Sequence, residues 1–429
     1  MTHPGAAENP IHASAGEREF DVVLFGASGF TGKLVAEYLA RNYGDGDLRW
    51  ALAGRSLDKL GAVRAGLASI TPSLSDLPLL IADSSQRPAL DAIARRTRVV
   101  CTTVGPYARY GNELVAACVA AGTDYCDLTG EVQWIRRMVD AHAESAQKSG
   151  ARIVHCCGFD SIPSDLGTLM LQEHAIERHG APCSEVKVFV TKLRGGASGG
   201  TVASLLGVMQ EAARDRDVRR ILVDPYSLNP AGERSGPDKP DSNSVRRDPD
   251  LPGFTAPFVM AAINTRVVRR SNALLGYRYG RDFRYREVSA FSNDVRGFVR
   301  ATQQTFGLGG FVAVATIPPL RSLLQKTVLP KPGEGPNAEQ RRRGLFEMVV
   351  VGKGRAAAPF SVRGRVVGHS DPGYGETSIM LAESALCLAR DGVNSDCKAG
   401  VLTPASAMGA KLLARLRRAG MTFEISPDR

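Results

Sequence analysis

Three glycines, Gly26, Gly29 and Gly32, separate an apolar run (Val22 to Phe25) from a stretch with helical spacing of Leu34, Val35 and Leu39. That order suits the binding of a pyrophosphate. Gly26 permits a tight turn, Gly29 lets backbone approach the phosphate oxygens, and Gly32 lets helix and strand pack closely. The helix start then offers free N–H groups and the positive end of its dipole. Gly26-Ala27-Ser28-Gly29-Phe30-Thr31-Gly32 is therefore the expected cradle of a dinucleotide. Arg55, Ser56 and Lys59 follow the next apolar run, Trp50 to Gly54. A cation at that place suits a 2′-phosphate, whereas an acid would suit the ribose hydroxyls. The expected cofactor is NADPH. Asp83 ends a third run, Leu77 to Ala82, and has two readings: an acceptor for the adenine amino group, or the cap of a helix from Arg87 to Arg95. Thr103, Val104, Gly105 and Pro106 end a fourth run, where the nicotinamide half is expected to lie.

Strand and helix patterns alternate from residue 20 to residue 182, which predicts a Rossmann-type doubly wound parallel sheet of the α/β class. Residues 1–19 are polar and read as a disordered leader without the apolar core of a signal peptide. After Pro182 the pattern changes. Glu185 to Leu193 alternates like a half-exposed strand, and Thr201 to Arg220 reads as one helix. Residues 227–253 and 330–344 read as polar loops. Arg266 to Arg270 and Arg278 to Arg286 are basic, the latter interleaved with aromatic residues. Phe306 to Leu324 is the most apolar run. Its glycines, Pro318-Pro319 and Arg321 make a poor membrane span. A buried helix is the preferred reading, with an interfacial helix or an acyl-lined wall as alternatives. Gly373-Tyr-Gly-Glu-Thr377 opens a helix to Arg390, Thr403 opens another to Arg418, and Thr422 to Ile425 reads as a closing strand. The expected units are 20–182, 183–371 and 372–429, the last returning to the first.

The net charge of +10 is uneven. Residues 1–180 hold 17 Lys+Arg against 21 Asp+Glu, and residues 181–429 hold 37 against 23. An acidic protein partner, a phosphate-bearing substrate or an anionic membrane surface would each suit the basic part. No helix-turn-helix, zinc or RNA-binding signature supports nucleic acid. The eight cysteines have no C-x-x-C spacing and fit small core residues in a reducing, cytoplasmic setting. Peripheral attachment to the plasma membrane and a homodimer stay open. His142, His155, His174 and His179 lack neighbours with ligand-like spacing, so no metal site is expected.

Several stretches together carry a resemblance. They are Gly26 to Gly32, Gly105-Pro-Tyr-Ala-Arg-Tyr-Gly111, Gly122 to Glu131, Gly158-Phe-Asp-Ser-Ile-Pro-Ser-Asp165 and Gly373-Tyr-Gly-Glu-Thr377. The chain resembles the saccharopine dehydrogenase-like oxidoreductases. Pro257 to Arg266, Arg269 to Arg286 and Leu402 to Met408 make it similar to the mycobacterial trans-acting enoyl reductases of polyketide lipid synthesis. The resemblance implies an α+β substrate domain inserted into the dinucleotide-binding domain. It also implies an α,β-unsaturated acyl substrate held on the carrier protein of a polyketide synthase. Such a reduction needs hydride at the β-carbon and a proton at the α-carbon, so a donor near the thioester is sought. No Tyr-x-x-x-Lys pair follows a suitable strand. Tyr107 and Tyr110, after the fourth strand, are the first candidates. Asp160 and Asp165, after a later strand, are the second. Water is the remaining proton source.

Overall fold

The computed structural model describes residues 18–196, 199–241, 244–317, 319, 335–391 and 399–427. Most of the predicted leader, and residues 318 and 320–324 of the apolar run, lie outside these. Arg18 is already anchored, donating to the carbonyls of Ala94 (2.8 Å) and Ala121 (2.7 Å).

Among the described residues, seven strands form the first sheet. They are β1 (Phe20–Phe25), β2 (Trp50–Gly54), β3 (Leu79–Ile81), β4 (Thr97–Thr102), β5 (Asp124–Cys126), β6 (Arg152–Val154) and, from far along the chain, β13 (Gly400–Leu402). Their order is β13-β6-β5-β4-β1-β2-β3, and every pairing is parallel. All six residues of β1 and all five of β2 are buried. Helices cover both faces of such a sheet, which is why its strands read as unbroken apolar runs. The sheet is the expected doubly wound Rossmann arrangement.

The second sheet contains β7 (Glu185–Arg194), β8 (Arg246–Asp248), β9 (Leu251–Pro257), β10 (Arg284–Phe291), β11 (Leu345–Lys353), β12 (Ser361–Gly368) and β14 (Thr422–Ile425). The order is β14-β12-β11-β7-β10-β9-β8, antiparallel except where β7 meets β10. The end of the chain is thus divided. β13 extends the first sheet and β14 the second, while helix Thr377–Arg390 packs on helix Phe30–Tyr43 and on β1.

Several local expectations are corrected. The helix read from Thr201 to Arg220 is two, Gly199–Arg214 and Arg216–Val223. Asp215 divides them, capping the second through the amides of Asp217 and Val218. The loop read over 227–253 contains β8, and the polar stretch before β11 contains helix Ala338–Arg342 with an Asn337/Gln340 capping box. Arg266, Arg269 and Arg270 are buried on helix Ala261–Leu274. They donate to the carbonyls of Leu222 (2.6 Å), Tyr285 (3.0 Å) and Val401 (2.5 Å). The interleaved Tyr279, Phe283 and Tyr285 are core residues. The apolar run is the largest departure. Its first part belongs to helix Val295–Thr316, whose Phe306 is 77% exposed, so the buried-helix reading fails. Among the described residues, no helix is long and apolar enough to cross a membrane.

Candidate active site

The chain leaves β1 towards β2 on one side and β4 lies on the other, so the crevice at their C-terminal ends is the switch point where dinucleotides bind. Gly26 has φ +88°, and a Cβ there would lie 2.6 Å from Val104 Cγ2. A Cβ on Gly32 would lie 2.2 Å from the Gly26 carbonyl oxygen. Only bare backbone fits these two positions. Gly29 is the extended N-cap of helix Phe30–Tyr43; no side chain caps that helix and no acid occupies its first turn. Its leading amides are left for an anion.

Arg55, just after β2, is exposed, and Lys59 lies one turn into helix Leu57–Ala68. Neither makes an ion pair among the described residues. Ser56 caps that helix, its Oγ accepting from the Lys59 amide at 3.4 Å. A cavity of about 520 Å³ beside this corner is lined by Ser28, Phe30, Lys33 and Lys59 among others. Lys33 was not singled out from the sequence. Asp83 accepts from the amide (2.9 Å) and hydroxyl (2.7 Å) of Ser85, which hold its carboxyl below the usual range. It does not cap helix Arg87–Arg96, whose N-cap is Gln86. The glycine cradle, the uncapped helix start and the two cations together fit a dinucleotide bearing a 2′-phosphate.

On the other side of the crevice, Thr103 Oγ1 donates to the Gly26 carbonyl at 3.2 Å and ties the two loops together. Beyond Gly105-Pro106, the amides of Tyr107 and Ala108 donate to the two oxygens of Glu131 at 2.8 and 2.9 Å. Ser204, on helix Gly199–Arg214, donates to the same carboxylate at 2.8 Å. Glu131 therefore fixes the loop expected beside the nicotinamide and joins it to the second unit.

The four donor candidates divide sharply. Tyr107 is buried. Its hydroxyl donates to the Thr102 carbonyl (3.2 Å) and accepts from the Leu128 amide (3.4 Å), while its ring packs 5.5 Å from Trp134. Burial and the nearby Asp127 push its pKa well up. It is a brace, because both of its hydrogen-bonding capacities are spent inside the protein. Tyr110 is 43% exposed and faces outward. Asp165 is fully buried, accepting from Ser271 Oγ (2.5 Å) and the Ala405 amide (2.8 Å). It neither caps helix Ile162–His179, whose N-cap is Ser161, nor reaches the crevice; it pins two distant helices to the first turn. Asp160 differs. It lies in the turn after β6, between two side-chain-free positions: a Cβ on Gly130 would be 3.1 Å from Oδ1 and one on Gly158 3.4 Å from Oδ2. No neighbouring side chain hydrogen-bonds its carboxyl among the described residues. Desolvation first, and then the charge of Asp127, raise its pKa to about 7.

Residues 22–154 match the family described as Saccharopine dehydrogenase NADP binding domain. The chain is 42% identical to the trans-acting enoyl reductase of Mycobacterium tuberculosis, over 96% of this chain and 98% of that one. It is 41% identical to the Mycobacterium ulcerans enzyme of the same name, over 95% and 98%. A second M. tuberculosis protein, provisionally given that name, is 46% identical over 96% and 98%. This chain belongs to the trans-acting enoyl reductase family. Its fold is that of saccharopine dehydrogenase (L-Glu forming) from Saccharomyces cerevisiae, with a TM-score of 0.50 at 12% identity, over 95% of this chain and 99% of that one. As a family member it carries an NADP-binding oxidoreductase domain.

Sequence reading missed the polar residues that hold this family's site together here. Glu131 showed no local signal, because its partners lie 24 and 73 residues away along the chain. Asp127 accepts from Tyr125 Oη (2.9 Å) and from the amides of Thr129 (3.1 Å) and Cys156 (3.2 Å), and pairs with His155 Nδ1 at 2.7 Å. These contacts stitch the ends of β5 and β6 together. Thr377, in the Gly373 to Thr377 stretch, accepts from the Phe159 amide at 3.0 Å and sets the turn that carries Asp160. The sequence offered Asp127, Glu131 and Thr377 only inside the stretches Gly122 to Glu131 and Gly373 to Thr377, with no role for any of them.

Proposed function

We propose that the protein is an NADPH-dependent trans-acting enoyl reductase, acting on an α,β-unsaturated acyl chain presented by the carrier protein of a polyketide synthase. The observation that carries this reading is the placement of the Asp160 carboxyl between Gly130 and Gly158, at the carboxyl edge of a glycine-cradled NADP domain. When bound, NADPH supplies the hydride for the β-carbon.

The chain's own residues do the rest. Gly26 to Gly32, with Ala27, Ser28 and Thr31, hold the pyrophosphate against the helix start. Arg55 and Lys59 take the 2′-phosphate beside Ser56, and Asp83 meets the adenine. Thr103 to Pro106, fixed by Glu131, form the wall beside the nicotinamide. Asp160, protonated below about pH 7, gives its proton to the substrate α-carbon and is reprotonated from water. Tyr110, exposed after the Thr103 to Pro106 loop, is left without a role in the proton transfer.

The test is to follow NADPH oxidation with a 2-enoyl thioester and, separately, with a 2-oxo acid plus an amine. Oxidation with the thioester alone, giving the saturated acyl product, supports the reading. Oxidation only with the oxo acid and amine would assign an imine reductase instead.

A further inference from the structure

Helix Val295–Thr316 contains no acid, yet it turns apolar side chains to solvent: Val295 is 79% exposed and Phe306 77%, with Phe298 and Val299 between them also exposed. An isolated exposed apolar residue needs no explanation, but a stripe along one helix does. Arginines border it. Arg296 and Arg300 are exposed and make no ion pair among the described residues. The acid nearest in sequence, Asp294, is committed to the helix cap through the Gly297 amide at 2.6 Å. On the other flank the Arg247 guanidinium lies 5.0 Å over the Phe254 ring, which is 5.3 Å from Phe298. Further along, a Cβ on Gly307, Gly309 or Gly310 would meet nothing within 4 Å. These positions leave a bare backbone surface on which another helix could lie closely.

The stripe borders the site. Helix Val295–Thr316 packs on helix Gly199–Arg214, and that helix carries Ser204 to Glu131 and stands against Gly105. We infer that this face is the docking surface for the acidic, helical carrier domain that presents the acyl substrate. The inference rests on the reductase reading above. Arginines complement an acidic partner, the apolar stripe supplies the buried centre, and the shared helix brings the partner to the mouth of the crevice. A bilayer fits less well, because the bare glycine segment leaves a long gap in the row of side chains that would insert.

The test compares wild type with Arg296→Glu/Arg300→Glu and with Phe306→Glu. Each is assayed on a 2-enoyl chain loaded on an excised, phosphopantetheinylated polyketide synthase carrier domain, and on the same chain as an N-acetylcysteamine thioester. If the carrier docks at this face, the variants raise KM for the carrier-linked substrate about tenfold and leave the small thioester unchanged. Docking there also predicts that added salt weakens wild type towards the arginine variant. Equal losses on both substrates, or none on either, overturn the inference. So does loss of binding to anionic phosphatidylglycerol vesicles with carrier turnover intact, which assigns the face to a membrane. A wild-type dimer that Phe306→Glu converts to a monomer, again with carrier turnover intact, assigns it to a second copy of the chain. If wild type binds NADPH but reduces neither thioester, the reductase reading itself has failed and the docking inference falls with it.

Discussion

Asp160 and Arg55 make opposite demands on experiment. Asp160 is asked to hold a proton near neutrality. Its pKa is raised, so its protonated form predominates below about pH 7 and is lost as pH rises through that value. The kcat/KM profile of wild type is therefore expected to fall on the alkaline side near pH 7. Asp160→Asn should lose that limb, lower kcat about 100-fold and leave NADPH affinity unchanged. A full-rate variant with the same profile would return the proton to water. Asp165 carries a similarly raised pKa from burial, but for structural reasons. Asp165→Asn should cost about 1–3 kcal/mol of stability, since one of its two buried partners loses an acceptor. It should leave the pH profile in place. Thermal unfolding and the profile together separate the two acids. Arg55 is tested by fluorescence titration with NADPH and NADH. Arg55→Ala should weaken NADPH about 10- to 150-fold, the worth of a charged hydrogen bond, and leave NADH where it was. Equal weakening of both would remove Arg55 from the 2′-phosphate.

At the scale of elements, the cradle is the strictest part of the molecule. Gly32→Ala places a methyl 2.2 Å from a backbone oxygen, so helix Phe30–Tyr43 must move off β1. The expected result is loss of NADPH binding and about 1–3 kcal/mol of stability, read by titration and denaturant unfolding. This turn was fully legible in the sequence, because strand, glycine spacing and helix lie within two dozen residues. The donor was legible only as a set of four. What separates Asp160 from Tyr107 and Asp165 is who already binds them: Thr102 and Leu128 for the tyrosine, Ser271 and Ala405 for the buried acid. Those partners come from other elements, and spacing along the chain holds no record of them. The basic segment Arg266 to Arg270 misled for the same reason. In sequence it reads as a charged surface, yet in the fold its guanidiniums cap buried carbonyls of three other segments.

The molecule as a whole joins two sheets through a chain that crosses between them more than once. β13 completes the first sheet beside β6 and β14 the edge of the second beside β12. The doubly wound half was legible because parallel buried strands announce themselves as apolar runs. The mixed sheet was less so, because its short edge strand β8 carries Arg246, Arg247 and Asp248, which read as loop. The exposed helix Val295–Thr316 escaped for a general reason: apolar composition suggests burial, and only the fold shows which apolar helix was left uncovered. In the proposed reaction a hydride passes from NADPH, held by this domain, to the β-carbon of an enoyl thioester. The most direct measurement supplies NADPH deuterated at the transferring position, with a 2-enoyl thioester, and locates the label in the product. One deuterium at the β-carbon and a solvent proton at the α-carbon are expected. An unlabelled saturated product, or deuterium found only on a carbonyl- or imine-derived carbon of another substrate, would contradict that reaction.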